Sequence, residues 1–227
     1  MRVLALDTAL DACATAVLDT ERRDLVASET LPMIRGHAEA LMPLIARLME
    51  AARLEFADLD RIAVTVGPGS FTGVRVGIAA ARGIALAAGK PAIGLTTLAA
   101  FTAPHVAAGF AGTVIPVIDA RHGHVYMQIF GPGGRAAIPP RLAALREAVE
   151  EARTRAPALI TGSAARLVTA EWPADEPAPE VVAASAPEIG WVARLGAAAQ
   201  PDRARPKPLY LRPPDARPQD AARISRQ

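Results

Sequence analysis

Residues 62–90 read IAVTVGPGSFTGVRVGIAAARGIALAAGK: a buried strand, a glycine-bracketed turn and a long, almost uncharged helix in direct succession. The β-branched run 62–66 stops at Gly67-Pro68-Gly69, and Ser70 or Thr72 is placed to cap the helix that follows. From 73 to 88 only Arg75 and Arg82 carry charge, so this helix cannot keep a broad face in water and must be covered on most sides. Gly73, Gly77 and Gly83 lie inside it, and each glycine costs a helix about 1 kcal/mol relative to alanine. Gly73, Gly77 and Ala81 recur every four residues and share one face, which predicts close approach by another backbone.

Amides at a helix N-terminus invite a phosphate. The spacing excludes the two commonest versions of that site. A dinucleotide fingerprint needs its third glycine one residue before Gly73, and Lys90-Pro91 stands where an acidic ribose ligand belongs. A Walker loop ends Gly-Lys-Ser/Thr, whereas Gly73 is followed by Val74-Arg75. A tight turn leading into a packed helix, with no ligand, accounts for the same residues.

Working outward, strands are expected at 2–6, 12–18 and 25–30, a meander whose first turn begins Asp7-Thr8. The next helix, 36–54, carries Leu41, Leu44, Ile45, Leu48 and Ala52 on one stripe and Ala38, Met42, Ala46 and Met49 on another. Two stripes imply two covering surfaces. Pro43 predicts a kink there, or a true start near Met42. After the central unit come a strand at 91–95 and a helix at 97–101, so the first half reads β-β-β-α-β-α-β-α.

The second half opens alike, with a strand at 113–118 ending on Asp119 and a return strand at 125–130. A helix at 141–155, a strand at 159–161, a helix from Gly162-Ser163, a proline-rich acidic loop at 172–187 and a helix at 188–199 follow. Two halves that each open with a strand, an Asp and a return strand predict a duplicated α/β architecture with a cleft between lobes. The expected divisions are 1–105, 106–214 and a polar, disordered tail at 215–227.

At 227 residues and 51% hydrophobic content the chain can bury a sizeable core. The opening residues form no basic-then-apolar signal, no 18-residue apolar run is unbroken, and the single Cys13 excludes an internal disulfide, so a cytoplasmic protein with no membrane partner is expected. The sequence pI of about 9.1 belongs to the end of the chain. After Gln200 there are seven Arg/Lys and three Asp, leaving 18 basic and 20 acidic residues in the first 200. An exposed terminus or an RNA contact accounts for that charge. Cys13 lies in an apolar strand pattern, which reads as a structural thiol rather than a nucleophile. His122 and His124 would share a strand face, but two histidines without a carboxylate or cysteine fall short of a metal site.

Six segments carry a resemblance: GPGSFTGVRVGIAAARGIA at 67–85, ALDTALDACATAVL at 5–18, GHAEALMPLI at 36–45, GKPAIGLTTLAAF at 89–101, VIDARHGHVY at 117–126 and PLYLRPPDA at 208–216. Together they resemble the TsaB family, partners of the tRNA threonylcarbamoyladenosine transferase TsaD. The resemblance implies the two-lobe fold of actin, Hsp70 and the sugar kinases, and a protein that is not itself the catalyst. TsaD-like proteins present H-x-x-x-H after the glycine block, and here Thr97 and Phe101 fall at those positions. Phenylalanine cannot ligate a metal, so neither a metal nor another cofactor is expected on this chain; ATP and metal would act on partner subunits. Asp7 and Thr8, with Asp119 as their echo, occupy the position where members of this fold hold nucleotide phosphates and magnesium. They read either as a vestigial phosphate site or as turn caps whose carboxylates accept backbone amides.

The implied partners are a TsaD-type transferase, a TsaE-type ATPase, a second copy when the chain is alone, and tRNA only indirectly or weakly. The expected partner surface is His37, Leu41, Met42, Ile45 and Met49 of the first helix with Ser70, Phe71, Gly73, Val74, Gly77 and Ala81 of the glycine-rich helix, buried in a four-helix packing. The competing reading is an active ATP-dependent kinase or transferase, or a metallopeptidase, of the same fold. An RNA-binding module rests on the basic tail alone.

Overall fold

The structure, a computed structural model, describes residues 1–212. The expected tail at 215–227 lies outside the described residues.

The first half forms a five-stranded sheet of β1 (Arg2–Asp7), β2 (Ala12–Asp19), β3 (Asp24–Pro32), β4 (Arg61–Thr65) and β5 (Ala92–Leu95), in the order β3-β2-β1-β4-β5. β1 pairs antiparallel with β2 and parallel with β4. The second half repeats this with β6 (Thr113–Asp119), β7 (His124–Phe130), β8 (Ala136–Ala144), β9 (Ala158–Gly162) and β10 (Glu180–Ala183), in the order β10-β9-β6-β7-β8. Renumbered within the repeat, that order is the same, and so are the strand directions. The duplication therefore extends to every strand.

Among the described residues, six α-helices cover the sheets: α1 (His37–Ala52), α2 (Phe71–Ala88), α3 (Thr97–Ala107), α4 (Leu145–Arg153), α5 (Ala165–Ala170) and α6 (Ile189–Ala198). α1 and α2 lie on one face of the first sheet, where Leu4, Leu6, Leu41, Leu44, Ile45, Leu48, Ile62, Val64, Val74 and Ile78 share one core. α4 and α5 cover the outer face of the second sheet with Val149, Ala152, Ala165 and Val168. The two helices between the sheets are exchanged: α3, from the first half, packs on β6, and α6, from the second, packs on β1, β2 and β4. Residues 189–198 thus complete the first lobe, although in sequence they belong to the expected 106–214 unit.

Local chemistry places each of these elements. Ser70 caps α2, its hydroxyl accepting from Gly73 N–H at 3.3 Å, and Gly89 ends the helix in the left-handed conformation. α6 is closed by Arg61, whose guanidinium donates to the carbonyls of Gly196, Ala197 and Ala199 at 3.2, 2.9 and 2.7 Å. Gly196 lets α6 approach Ala63 where a side chain would collide.

Several expectations need correction. α1 runs unbroken from His37 through Pro43; the proline is exposed, so the carbonyl it leaves unpaired is on the solvent side. Residues 141–144 close strand β8 rather than open a helix, and α4 starts at Leu145. β8, which the sequence reading missed, carries Pro139 and Pro140, and an edge strand tolerates missing amide donors. The proline-rich stretch expected as a loop contains the short edge strand β10.

Candidate partner surface and interlobe clefts

Asp7 ends β1 inside the first lobe, with no exposed surface. Its Oδ1 accepts from Thr65 Oγ1 at 2.5 Å and from Ala9 N–H at 3.1 Å, while Oδ2 is enclosed with no hydrogen-bond partner. Burial pushes the carboxyl up from its ordinary range, against the smaller pull of the Thr65 and Ala9 hydrogen bonds and of the His37 charge. Asp119 repeats the corner: its Oδ1 accepts from Arg121 N–H at 2.7 Å and its Oδ2 lies 3.6 Å from the Arg121 guanidinium. Both aspartates accept the backbone amide two residues on.

Two clefts open between the lobes. One, of about 750 Å³, lies between β3 and the chain after β10 and is lined by Ser28, Thr30, Phe101, His105, Thr161 and Glu188 among others. His105 donates to or accepts from Thr161 Oγ1 at 3.3 Å, and burial holds its pKa below the ordinary histidine value. The other, of about 680 Å³, is lined by Leu10, Ser70, Phe71, Asp119, His122, Tyr210 and Arg212 among others. Asp119 faces this second cleft, but Asp7 and Thr8 line neither. At the α2 N-terminus the Ser70 amide is already donated to Ala9 O at 2.7 Å, and the Gly73 amide to the Ser70 hydroxyl. The Asp7-Thr8 corner is thus closed off from both clefts.

The glycine face of α2 is turned inward, so the close approach it allows is made within the chain. A Cβ at Gly77 would stand 2.5 Å from Thr8 Oγ1 and 3.3 Å from a Val64 methyl, and one at Gly73 would strike the Thr8 carbonyl. Thr8 Oγ1 also donates to Gly73 O at 2.7 Å. Val74 and Ala81 are buried with them. On α1, His37, Leu41, Ile45 and Met49 are buried against the first sheet; His37 sits 3.0 Å from Leu10 O through Nε2. Of the expected partner surface, Met42 (50% exposed), Phe71 (38%) and Ser70 face solvent. Leu86 (86%) and Ile34 (75%) join them, and the sequence reading missed both. The signal for Leu86 was available, since it lies on the α2 face opposite Gly77 and Ala81. α2 is long and apolar enough to cross a membrane by length and composition, at 18 residues and mean hydropathy 1.3, but its Gly77-bearing face packs on the first sheet.

Thr97 is fully buried and Phe101 sits in an apolar cluster with Leu98 and Ile118, joined by Leu10 and Tyr126. Among the described residues, no three His, Cys, Asp or Glu side chains gather where they could hold a metal ion. His122 lies in the turn before β7 and His124 opens the strand, with His124 Nδ1 2.8 Å from the His122 carbonyl.

Comparison with known proteins agrees with this architecture. The family model described as "TsaD: tRNA N6-adenosine threonylcarbamoyltransferase" matches residues 25–161. The tRNA threonylcarbamoyladenosine biosynthesis protein TsaB of Escherichia coli is 37% identical over 126 residues, 56% of this chain and 53% of that protein, so the match spans about half of each. A crystal structure from Pseudomonas aeruginosa, of a protein described as similar to the peptidase YEAZ, superposes with TM-score 0.77 at 27% identity, covering 93% of this chain and 99% of the other. An inorganic polyphosphate/ATP-glucomannokinase from Arthrobacter, 13% identical with TM-score 0.53 over 87% of this chain and 98% of its own, shares the fold alone. The chain has the two-lobe α/β fold of the actin and sugar-kinase group and belongs to the TsaB family.

Proposed function

We propose that this chain is a non-catalytic cytoplasmic subunit of the system that installs threonylcarbamoyladenosine in tRNA, pairing with a TsaD-type transferase and working with a TsaE-type ATPase. The observation that carries this reading is the interior of α3. Thr97 and Phe101 stand where the resemblance to TsaD places metal-binding histidines, and Phe101 packs among Leu98 and Ile118. A phenyl ring offers no ligand, and an apolar enclosure penalises a charged centre. In this reading ATP and metal act on the partner subunits, and tRNA is reached through them.

The partner surface draws on the exposed apolar side chains of α1 and α2, namely Met42, Phe71 and Leu86, with the exposed Ser70 beside Phe71. Extended apolar patches are seldom left in water, and in this reading the same side chains pair two copies when the transferase is absent. The test is reconstitution with a TsaD-type transferase, a TsaE-type ATPase, ATP and unmodified tRNA. Modified tRNA should form only when this chain is present, and the chain should co-elute with the transferase. Failure to associate at micromolar concentration, with and without ATP, overturns the reading. Robust ATP hydrolysis by the purified chain, lost in Asp7→Ala, would instead establish the kinase or transferase alternative.

A further inference from the structure

The two charges of α2 are both committed to one short segment that follows α6, residues 204–212. Arg82 donates to Pro206 O at 2.5 Å, and Arg75 Nε donates to the Tyr210 hydroxyl at 2.8 Å. The Arg75 guanidinium also lies 3.7 Å over the Phe71 ring, which sits 5.1 Å from the Tyr210 ring. The first sheet is shaped to receive the segment. Gly94 N–H donates to Ala204 O at 2.6 Å, which covers the edge at β5, and Leu209 N–H donates to Val66 O at 2.8 Å, one residue past β4. A Cβ at Gly94 would meet Pro206 Cα at 2.7 Å, and one at Gly67 would meet Leu209 O at 3.1 Å.

Beyond Leu209 the segment leaves the first sheet. Tyr210, Leu211 and Arg212 line the 680 Å³ cleft, and Arg212 donates to Ala120 O, at 3.2 Å, in the second lobe. Attachment is graded along its length. Pro206 is buried against Gly94, whereas Tyr210 is 44% exposed and the crossing to Ala120 rests on the half-buried Arg212. Contacts held at the surface open at lower free energy than those held in a core.

We propose that residues 209–212 are a releasable strap between the lobes, fixed on the first sheet at Pro206 and fastened to the Ala120 turn through Arg212. Fastened, the strap holds the cleft at its observed width. Released, it leaves the packing of α3 on α6, with the apolar cluster of Leu10, Leu98, Phe101, Ile118 and Tyr126, as the joint about which the lobes move. This inference does not depend on the identity of any partner.

The buried Cys13 leaves two introduced cysteines as the reactive pair, at exposed Ala46 on α1 and exposed Arg146 on α4. Spin labels on the full chain carrying Ala46→Cys and Arg146→Cys then report the lobe separation by pulsed dipolar spectroscopy. The parent should give one narrow distance distribution. Arg212→Ala should broaden it towards longer distances, Tyr210→Ala should do the same from the anchoring side, and Arg212→Lys, which keeps a donor, should restore it. Circular dichroism confirms that each variant is folded. An unchanged distribution in Arg212→Ala, or a lysine variant no narrower than alanine, overturns the proposal.

Discussion

Asp7 is a carboxyl in a place that suits its protonated form. Because burial raises its folded-state value above the ordinary 3.8, the folded chain holds this proton to higher pH than the unfolded chain does. Its contribution to stability is therefore fully present below the ordinary carboxylate value and is lost as pH rises through the raised one. Asp7→Asn removes that loss. Denaturant midpoints measured across a pH series should put the asparagine variant above the parent at neutral pH, with the gap closing as pH falls towards about 3.8. The strand, Asp, turn pattern of both halves was legible in the sequence, down to the amides that Asp7 and Asp119 accept. Which of the two aspartates faces a cleft was not legible, because that depends on where β2 and α2 close over the corner.

On α2 the spacing of Gly73, Gly77 and Ala81 announced that something approaches closely, without saying what. The approaching group is Thr8 of the same chain, a long-range contact that no local pattern encodes. Gly77→Leu should therefore unfold the chain. Even Gly77→Ala presses on Thr8 Oγ1 and Val64, and should lower stability by roughly 1–3 kcal/mol in chemical denaturation. Gly83→Ala is the control on the same helix: nothing stands within 4 Å of its added methyl, so it should raise stability by about 1 kcal/mol. The solvent side of the helix gives a separate expectation. Leu86→Glu should leave the melting temperature almost unchanged, as surface substitutions do within about 0.5 kcal/mol, and should abolish self-association seen by light scattering. A strictly monomeric parent over a wide concentration range would contradict the paired-copy reading.

At the scale of the molecule, the duplication could be read from two strand, Asp, return-strand openings, and the completed repeat would have supplied the two strands that local reading missed. The first half has a third strand after its return strand and a fifth at the far edge. Those places are filled in the second half by β8 and β10. Pro139 and Pro140 hid the first and a proline-rich neighbourhood hid the second, both on edges where ladder donors are dispensable. The exchange of α3 and α6 was not legible, since either helix satisfies the same apolar pattern on either sheet.

That exchange fixes an order of events during synthesis. The first sheet emerges from the ribosome with α1 and α2 to cover one face, but its other face, built from Val3, Ala5, Ala14, Ala16, Leu18 and Ala63, waits for Ile189, Val192 and Ala193. Domains ordinarily fold as units with the N-terminal one first, and here that course is blocked until nearly the whole described chain has been made. Nascent chains arrested so that residue 188 is the last to emerge should have a protease-sensitive first half, and those extended past residue 200 should become resistant. Until α6 has emerged, the uncovered face is a natural place for a chaperone to bind.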